Sequence, residues 1–156
     1  MSRQGKHHWQ AVKKVFRFMK GTTDYGVLFT ANGQDSNLCG FSDADWGGDV
    51  KTRRYTLGYV FQIHNNTISW GSNRQTSVSR STTEAEYIAL ISASQECIWL
   101  RRLLNDIELF KPVPTTIYED NQGPIHLCKN PKFHNSTKHI DISYQFIREQ
   151  VNKNAI

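Results

Sequence analysis

The segment from Ser81 to Leu104, STTEAEYIALISASQECIWLRRLL, constrains the fold more than any other part of the sequence. Ser81 is followed three residues later by Glu84, in front of an apolar run. This capping-box pattern is a strong signal for the start of a helix. It predicts a helix that continues to about Ile107, with a break near Ser94 as an alternative, and two prolines end the pattern.

Strand patterns lie on both sides of this helix. The run from Leu38 to Asp43 predicts a strand, and residues 56–70 predict a hairpin that turns at Asn65-Asn66. Further strands are predicted for DYGVLFT, residues 24–30, and for TTIYED, residues 115–120, while residues 32–37 predict a turn.

Three more helices are predicted. Apolar residues at three-and-four spacing indicate an amphipathic helix from His8 to Lys20. The segment QGPIHLCK, residues 122–129, predicts a short helix, and residues 137–151 predict a final amphipathic helix after a loop. Antiparallel strands followed by helix, strand, helix and helix indicate a mixed α/β domain.

Length and composition set the class of protein. A chain of 156 residues is long enough for one domain, or for one domain with an appendage divided from it near residues 21–37. No run approaches the roughly 18 apolar residues of a membrane span, and no signal peptide is recognisable. The net charge of +5 permits a polyanionic partner, although a solvated basic face is the commoner explanation. Three widely separated cysteines favour reduced thiols in an intracellular setting.

Acidic residues occur where two predicted strands end. Asp43 and Asp120 both terminate strands, and ligands collect at the carboxyl edge of open α/β sheets. Glu86 lies five positions into the long helix, on a face of small and apolar residues where a carboxylate is costly unless a cation meets it. Carboxylate oxygens suit Mg²⁺ or Mn²⁺, and two such ions can promote phosphodiester hydrolysis. Alternatively, Asp43 is a turn residue and Asp120 the N-cap of the short helix.

Five stretches resemble one known family. They are FSDADWGGD, GYVFQIHNNTISWGSNRQTSVSRSTTEAEYIAL, ECIWLRRLL, YEDNQGPIHL and HNSTKHIDISYQFIRE. In this order they look like the ribonuclease H domain of copia-type LTR retrotransposon polyproteins. The N-terminal HWQAVKKVFRFMKGTTDYGVLF looks like the tail of the reverse transcriptase that precedes this domain. The resemblance implies a reverse transcriptase tail at residues 1–30 and a ribonuclease H-like domain with a mixed sheet at residues 38–156.

The resemblance also implies an activity. The family cleaves the RNA strand of RNA–DNA hybrids with two magnesium ions held by four carboxylates. Three of these carry over by motif, as catalytic and metal-binding residues: Asp43 from S-D-A-D-W, Glu86 from T-E-A-E-Y and Asp120 from E-D-N-Q. The implied partners are an RNA–DNA hybrid and the reverse transcriptase domain of the same polyprotein, with no membrane and no small-molecule cofactor. The implied location is the cytoplasm, in a virus-like particle, and the nucleus.

A second group of residues is a candidate nucleic-acid contact. The wide minor groove of a hybrid displays the 2′-hydroxyls that distinguish RNA. Four polar residues lie ahead of or at the start of the long helix and could contact the backbone or these hydroxyls: Asn73, Arg74, Gln75 and Ser81.

The fourth carboxylate has no clear counterpart. Asp141, in KHID, is a first-turn acid of the final predicted helix, a position that the helix dipole favours. In the family, one more strand and a helix with the fourth aspartate follow, whereas this sequence ends at VNKNAI. We therefore expect a truncated domain without its last strand, last helix and fourth ligand. Two alternatives follow: a catalytically inactive nucleic-acid-binding remnant, or a structural piece that docks on the polymerase through its N-terminal helix.

Overall fold

The computed structural model describes residues 5–31, 37–45, 55–75, 79, 81–109, 111–129 and 138–156. Its elements, in chain order, are α1 (Lys6–Gly21), β1 (Cys39–Asp45), β2 (Thr56–Ile63), β3 (Asn66–Arg74), α2 (Thr82–Asp106), β4 (Thr116–Tyr118), α3 (Gln122–Lys129) and α4 (Lys138–Asn152). This order confirms the predicted mixed α/β class.

The four strands form one sheet in the order β3-β2-β1-β4. β1 is antiparallel to β2 and parallel to β4, so β1 is a central strand with partners on both sides. The β2–β3 hairpin turns at His64 and Asn65, whose φ angles of 54° and 61° suit the tight turns that match strand twist. The turn therefore lies one residue earlier than the sequence predicted.

Helix α2 packs along one face of this sheet. The residues that face the sheet are small or apolar, and the small ones let the helix approach the strands closely: Ala85, Ala89, Ala93, Cys97 and Leu100. They meet Ala44, Leu57 and Phe61 from the two central strands. The helix is continuous, and the alternative break near Ser94 is wrong, because Ser94 lies fully buried within it.

The C-terminal helix completes the core beside α2. Tyr87 and Leu90 of α2 are buried against Ile147 of α4. The chain end then returns to the sheet, where the Thr115 N–H donates to the carbonyl of Ala155 at 3.0 Å. Helix α4 and the chain end therefore extend the core around α2 and β4.

The face of the sheet opposite α2 remains exposed. Phe41, Trp70 and Tyr118 expose 42%, 63% and 55% of their side chains there, and the rings of Phe41 and Tyr118 stack with centroids 5.2 Å apart. Helix α1 buries none of its residues. None of the described helices is long and apolar enough to cross a membrane.

Residues 24–30 do not form the predicted strand. At the end of this segment the Thr30 backbone pairs with a side chain: its N–H donates to Asn66 Oδ1 at 2.7 Å, and its carbonyl accepts from Asn66 Nδ2 at 2.9 Å. Most of the predicted turn at 32–37 and the predicted loop at 130–136 lie outside the described residues.

Candidate metal centre

Three acidic side chains converge at the carboxyl edge of the sheet. One carboxylate oxygen from each of Asp43, Glu86 and Asp120 lies within 4.8 Å of the other two. Asp43 and Asp120 are exposed, whereas Glu86 is partly buried and its Oε2 atom is fully enclosed. The structure thus brings together the three residues that the sequence selected.

The pairing of β1 with β4 explains why the two aspartates meet. Phe41 and Tyr118 are register partners on these parallel strands. Asp43 and Asp120 each lie two residues further along. Their side chains therefore lie at equivalent positions on the same side of two neighbouring segments. Asp120 itself lies just past the end of β4.

The start of α2 positions Glu86. The Ser81 hydroxyl caps the helix by accepting the Glu84 N–H at 3.1 Å. Ala85 and Ala89 then pack on the sheet and hold Glu86 above the end of β1. Burial raises the pKa of Glu86; the charge of Asp43 also raises it, the Ala44 N–H lowers it by donating to the carboxylate, and the charge of Asp120 raises it again.

The donor chemistry fits a hard divalent cation. All three groups offer carboxylate oxygens, which Mg²⁺, Mn²⁺ and Ca²⁺ prefer over softer ligands. Among the described residues, Glu86 Oε2 has no hydrogen-bond partner. A cation would relieve the repulsion between the carboxylates and would satisfy this enclosed oxygen.

Glu119, directly before Asp120, is a further acid close to this site that the sequence analysis did not select. It is partly buried and accepts the Asn121 N–H through Oε1 at 3.3 Å. Burial raises the pKa of Glu119 to about 7; the Asn121 N–H lowers it, and the charges of Glu86 and Asp120 raise it. The available signal was alternation: successive strand residues face opposite sides, so Glu119 points inward when Asp120 points outward.

Two of the candidate nucleic-acid contacts have clear roles within the fold. Gln75 is 3% exposed; its Nε2 donates to the Ala85 carbonyl at 3.0 Å and its Oε1 accepts from Ser79 at 2.6 Å. Its side chain therefore links β3 to α2. Ser81 is exposed and caps α2. Asn73 and Arg74 lie exposed at the end of β3, and contact with nucleic acid stays a prediction for all four residues.

Comparison with solved structures defines the fold. The chain is similar to LC11-RNase H1 in complex with an RNA/DNA hybrid, with a TM-score of 0.52, 13% identity and coverage of 76% of this chain and 79% of that one. It is also similar to the N-terminal RNase H domain of rv2228c from Mycobacterium tuberculosis, with a TM-score of 0.50, 12% identity and coverage of 76% and 78%. The chain therefore has the ribonuclease H fold. No family model matches it.

The sequence relatives of this chain are transposon polyproteins. The chain is 42% identical over 149 residues to the retrovirus-related Pol polyprotein from transposon RE2 of Arabidopsis thaliana, covering 96% of this chain and 10% of the relative. It is 43% identical over 152 residues to the corresponding polyprotein from transposon TNT 1-94 of Nicotiana tabacum, covering 97% and 11%. Its homologues are thus Pol polyproteins of plant copia-type transposons, and the chain spans about a tenth of their length.

Proposed function

We propose that this domain hydrolyses the RNA strand of RNA–DNA hybrids in a divalent-metal-dependent reaction, as part of a retrotransposon polyprotein. Cleavage would leave a 3′-hydroxyl on the upstream RNA fragment. The observation that carries the proposal is the convergence of the Asp43, Glu86 and Asp120 carboxylates within 4.8 Å, at the end of the central strands of a ribonuclease H fold.

The three acids would have different roles in this reaction. Asp43 and Asp120 are exposed, so a cation that they hold could also contact the scissile phosphate. Glu86 lies deeper, with its carboxylate held by the Ala44 N–H, so it fixes the inner side of the centre. Mg²⁺ or Mn²⁺ bound there would neutralise charge on the phosphate and lower the pKa of the attacking water.

The open surface beside this centre suits a nucleic acid. Asn73 and Arg74 lie exposed at the end of β3, and the net charge of the chain is +5. A hybrid could contact these residues through its backbone or its 2′-hydroxyls, which only the RNA strand carries. LC11-RNase H1 has been solved with such a hybrid bound.

The polyprotein context suggests the other partner. We propose that the reverse transcriptase domain of the same polyprotein contacts α1, whose Trp9, Val15 and Phe16 side chains expose 63%, 58% and 65% of their surface. The reaction would take place in the cytoplasm, in a virus-like particle, and in the nucleus.

A second candidate function is hybrid binding without cleavage. It is favoured by one observation: the acidic cluster found among the described residues contains three acids, whereas the family resemblance implies four. Such a domain would bind the hybrid with a steep dependence on salt and would not hydrolyse it.

A panel of short, labelled nucleic acids tests the proposal. We expect the protein with Mg²⁺ or Mn²⁺ to cut the RNA strand of an RNA–DNA hybrid, and to leave double-stranded DNA, double-stranded RNA and single-stranded RNA intact. A chelator should abolish the cleavage. Binding of the hybrid without cleavage in either metal would select the second candidate, and cleavage that persists in the chelator would overturn metal dependence.

A further inference from the structure

A row of apolar side chains crosses the sheet on the face opposite α2. Phe41 of β1 is the register partner of Val60 in β2 and of Tyr118 in β4. Val60 is in turn the partner of Trp70 in β3. Because register partners point to the same face of a sheet, these four residues form one line, which we call the aromatic row. Its three rings are all exposed to solvent.

A shallow hollow of about 490 Å³ lies beside the aromatic row. Its apolar lining includes Phe41, Val60 and Trp70 from the row, and Val27 from the segment before β1. Gly58 also lines the hollow and leaves it open: a Cβ atom added there would lie no closer than 3.7 Å to another described residue. A hollow of this size and lining suits a flat organic group with an apolar face.

The hollow adjoins the metal centre. Asp43 is one of its lining residues, and the register row next to the aromatic row consists of Asp43, Gly58 and Ser72. Asp43 follows Phe41 by two residues on β1, which is about 7 Å along the strand. A nucleotide whose phosphate met a cation at Asp43 could therefore place its base against the aromatic row.

The chemistry of the row favours bases that are not paired. Bases within a duplex stack on one another, whereas the bases of a single strand are free to stack on aromatic side chains. Sheets that expose aromatic residues bind single-stranded RNA in this way in other proteins. The net charge of +5 favours a polyanionic strand over a neutral partner.

We propose that the aromatic row and the hollow beside it bind unpaired bases, in a single strand that extends from an RNA–DNA hybrid. Phe41 and Tyr118 already stack with ring centroids 5.2 Å apart and would support one base, while Trp70 would support another. The inference adds single-strand binding to the proposed function, and it rests on that function for the position of the hybrid. Stacking itself requires no cleavage.

Binding of single-stranded DNA tests the inference without any reference to activity. Fluorescence anisotropy of a short, labelled oligodeoxyadenylate is measured while the complete 156-residue protein or a variant is added, at raised salt that weakens phosphate contacts. We expect Trp70→Leu to weaken binding by about 5-fold or more. The matched control is Trp99→Leu, which removes a similarly exposed ring from α2 on the other side of the sheet and should leave the affinity unchanged.

Gly58→Val provides a second variant, which fills the hollow but keeps every aromatic ring. It should fold, because the added side chain has room and β-branched residues suit strands. We expect it to weaken binding of the oligodeoxyadenylate as well. A hybrid with a single-stranded extension should also bind wild type more tightly than a blunt hybrid does, and this difference should disappear in Trp70→Leu.

Equal affinity of wild type and Trp70→Leu for the oligodeoxyadenylate would overturn the inference and leave the proposed function standing. Dimers that dissociate in Trp70→Leu, found without any oligonucleotide binding, would also overturn it and assign the aromatic row to a second copy of the chain. Conversely, binding that depends on Trp70 and not on Trp99 would support the inference even if the wild-type protein cleaved no hybrid.

Discussion

Asp43 in β1 and Asp120, just past the end of β4, each lie two residues beyond one member of the Phe41–Tyr118 register pair of these parallel strands. Neighbouring strands lie about 4.8 Å apart, so this equivalence alone brings the two carboxylates within reach of one cation. Their closeness depends on the pairing of β1 with β4, because Asp120 follows β4 by only two residues. Glu86 joins them because α2 crosses the end of β1.

Replacement of Glu86 by glutamine should stabilise the metal-free protein at neutral pH. Burial, the charge of Asp43 and then that of Asp120 raise the pKa of Glu86 above its ordinary 4.5, so the ionised form destabilises the fold. Because solvent screens this partly exposed group, we expect a gain of no more than about 1 kcal/mol, or about 2–4 °C in Tm. Thermal unfolding with a chelator present measures it.

The same shift fixes the sign of the pH dependence. A carboxyl with a raised pKa in the folded state holds its proton more tightly there than in the unfolded chain, so its contribution to stability is lost as the pH rises from 4.5 through the folded pKa. Wild type should lose more stability than Glu86→Gln over this interval. Equal losses would show that folding does not raise the pKa of Glu86.

Ser81 can be tested as a helix cap against its predicted role as a nucleic-acid contact. Ser81→Ala removes the bond to the Glu84 N–H and should cost about 0.5–2 kcal/mol. Ser81→Asp keeps a capping oxygen but adds a charge that repels phosphate, so it should restore stability. If Ser81 touches the hybrid, Ser81→Asp will bind it more weakly than wild type; equal binding would leave Ser81 as a cap only.

A methyl group at Gly40 should be poorly tolerated. Its Cβ would lie 2.4 Å from a ring carbon of Phe61, which is itself fully buried. We expect Gly40→Ala to cost about 1–3 kcal/mol in chemical unfolding. Gly58→Ala is the matched control, because its Cβ would lie 3.7 Å from its nearest neighbour among the described residues, the Gly71 carbonyl oxygen. A loss at Gly58 as large as that at Gly40 would contradict the packing described for β1 and β2.

Cys97 should be the slowest of the three thiols to react. Burial raises its pKa to about 11, and its side chain is fully enclosed by the core beneath α2. Cys39 and Cys128 are partly exposed. In native protein near pH 8, we expect Cys97 to be alkylated at least about 10-fold more slowly than either of the others, as peptide mapping can measure. Comparable rates would indicate that the α2–sheet interface opens readily.

The sequence predicted the helices and the main strands because their signals are local. The Ser81 cap and the apolar run after it determine where α2 begins, and alternating apolar residues determine β1, β2 and β3. The prediction of a strand at residues 24–30 was wrong: the local pattern is typical of a strand, but the Thr30 backbone pairs with the Asn66 side chain and not with a neighbouring strand. Strand formation requires a neighbouring strand, which local pattern does not show.

The sequence also predicted the three acids of the candidate site, but not the contacts around them. Asp43, Glu86 and Asp120 were selected from strand ends and from family motifs, and the structure brings them together. Glu119 was not selected, because its burial close to Glu86 depends on how the chain after β4 packs against α2. The internal role of Gln75 was missed for the same reason: it depends on the contact between β3 and α2.

The rate of hybrid cleavage as a function of Mg²⁺ concentration, compared between wild type and Asp43→Asn, tests the central claim most directly. If the three carboxylates form the catalytic metal centre, wild type will cleave with a saturable dependence on Mg²⁺. Asp43→Asn will then lose about 100-fold or more of the rate, because several kcal/mol of charge stabilisation are removed, while it keeps its fold by circular dichroism. Undiminished cleavage by folded Asp43→Asn would contradict the account.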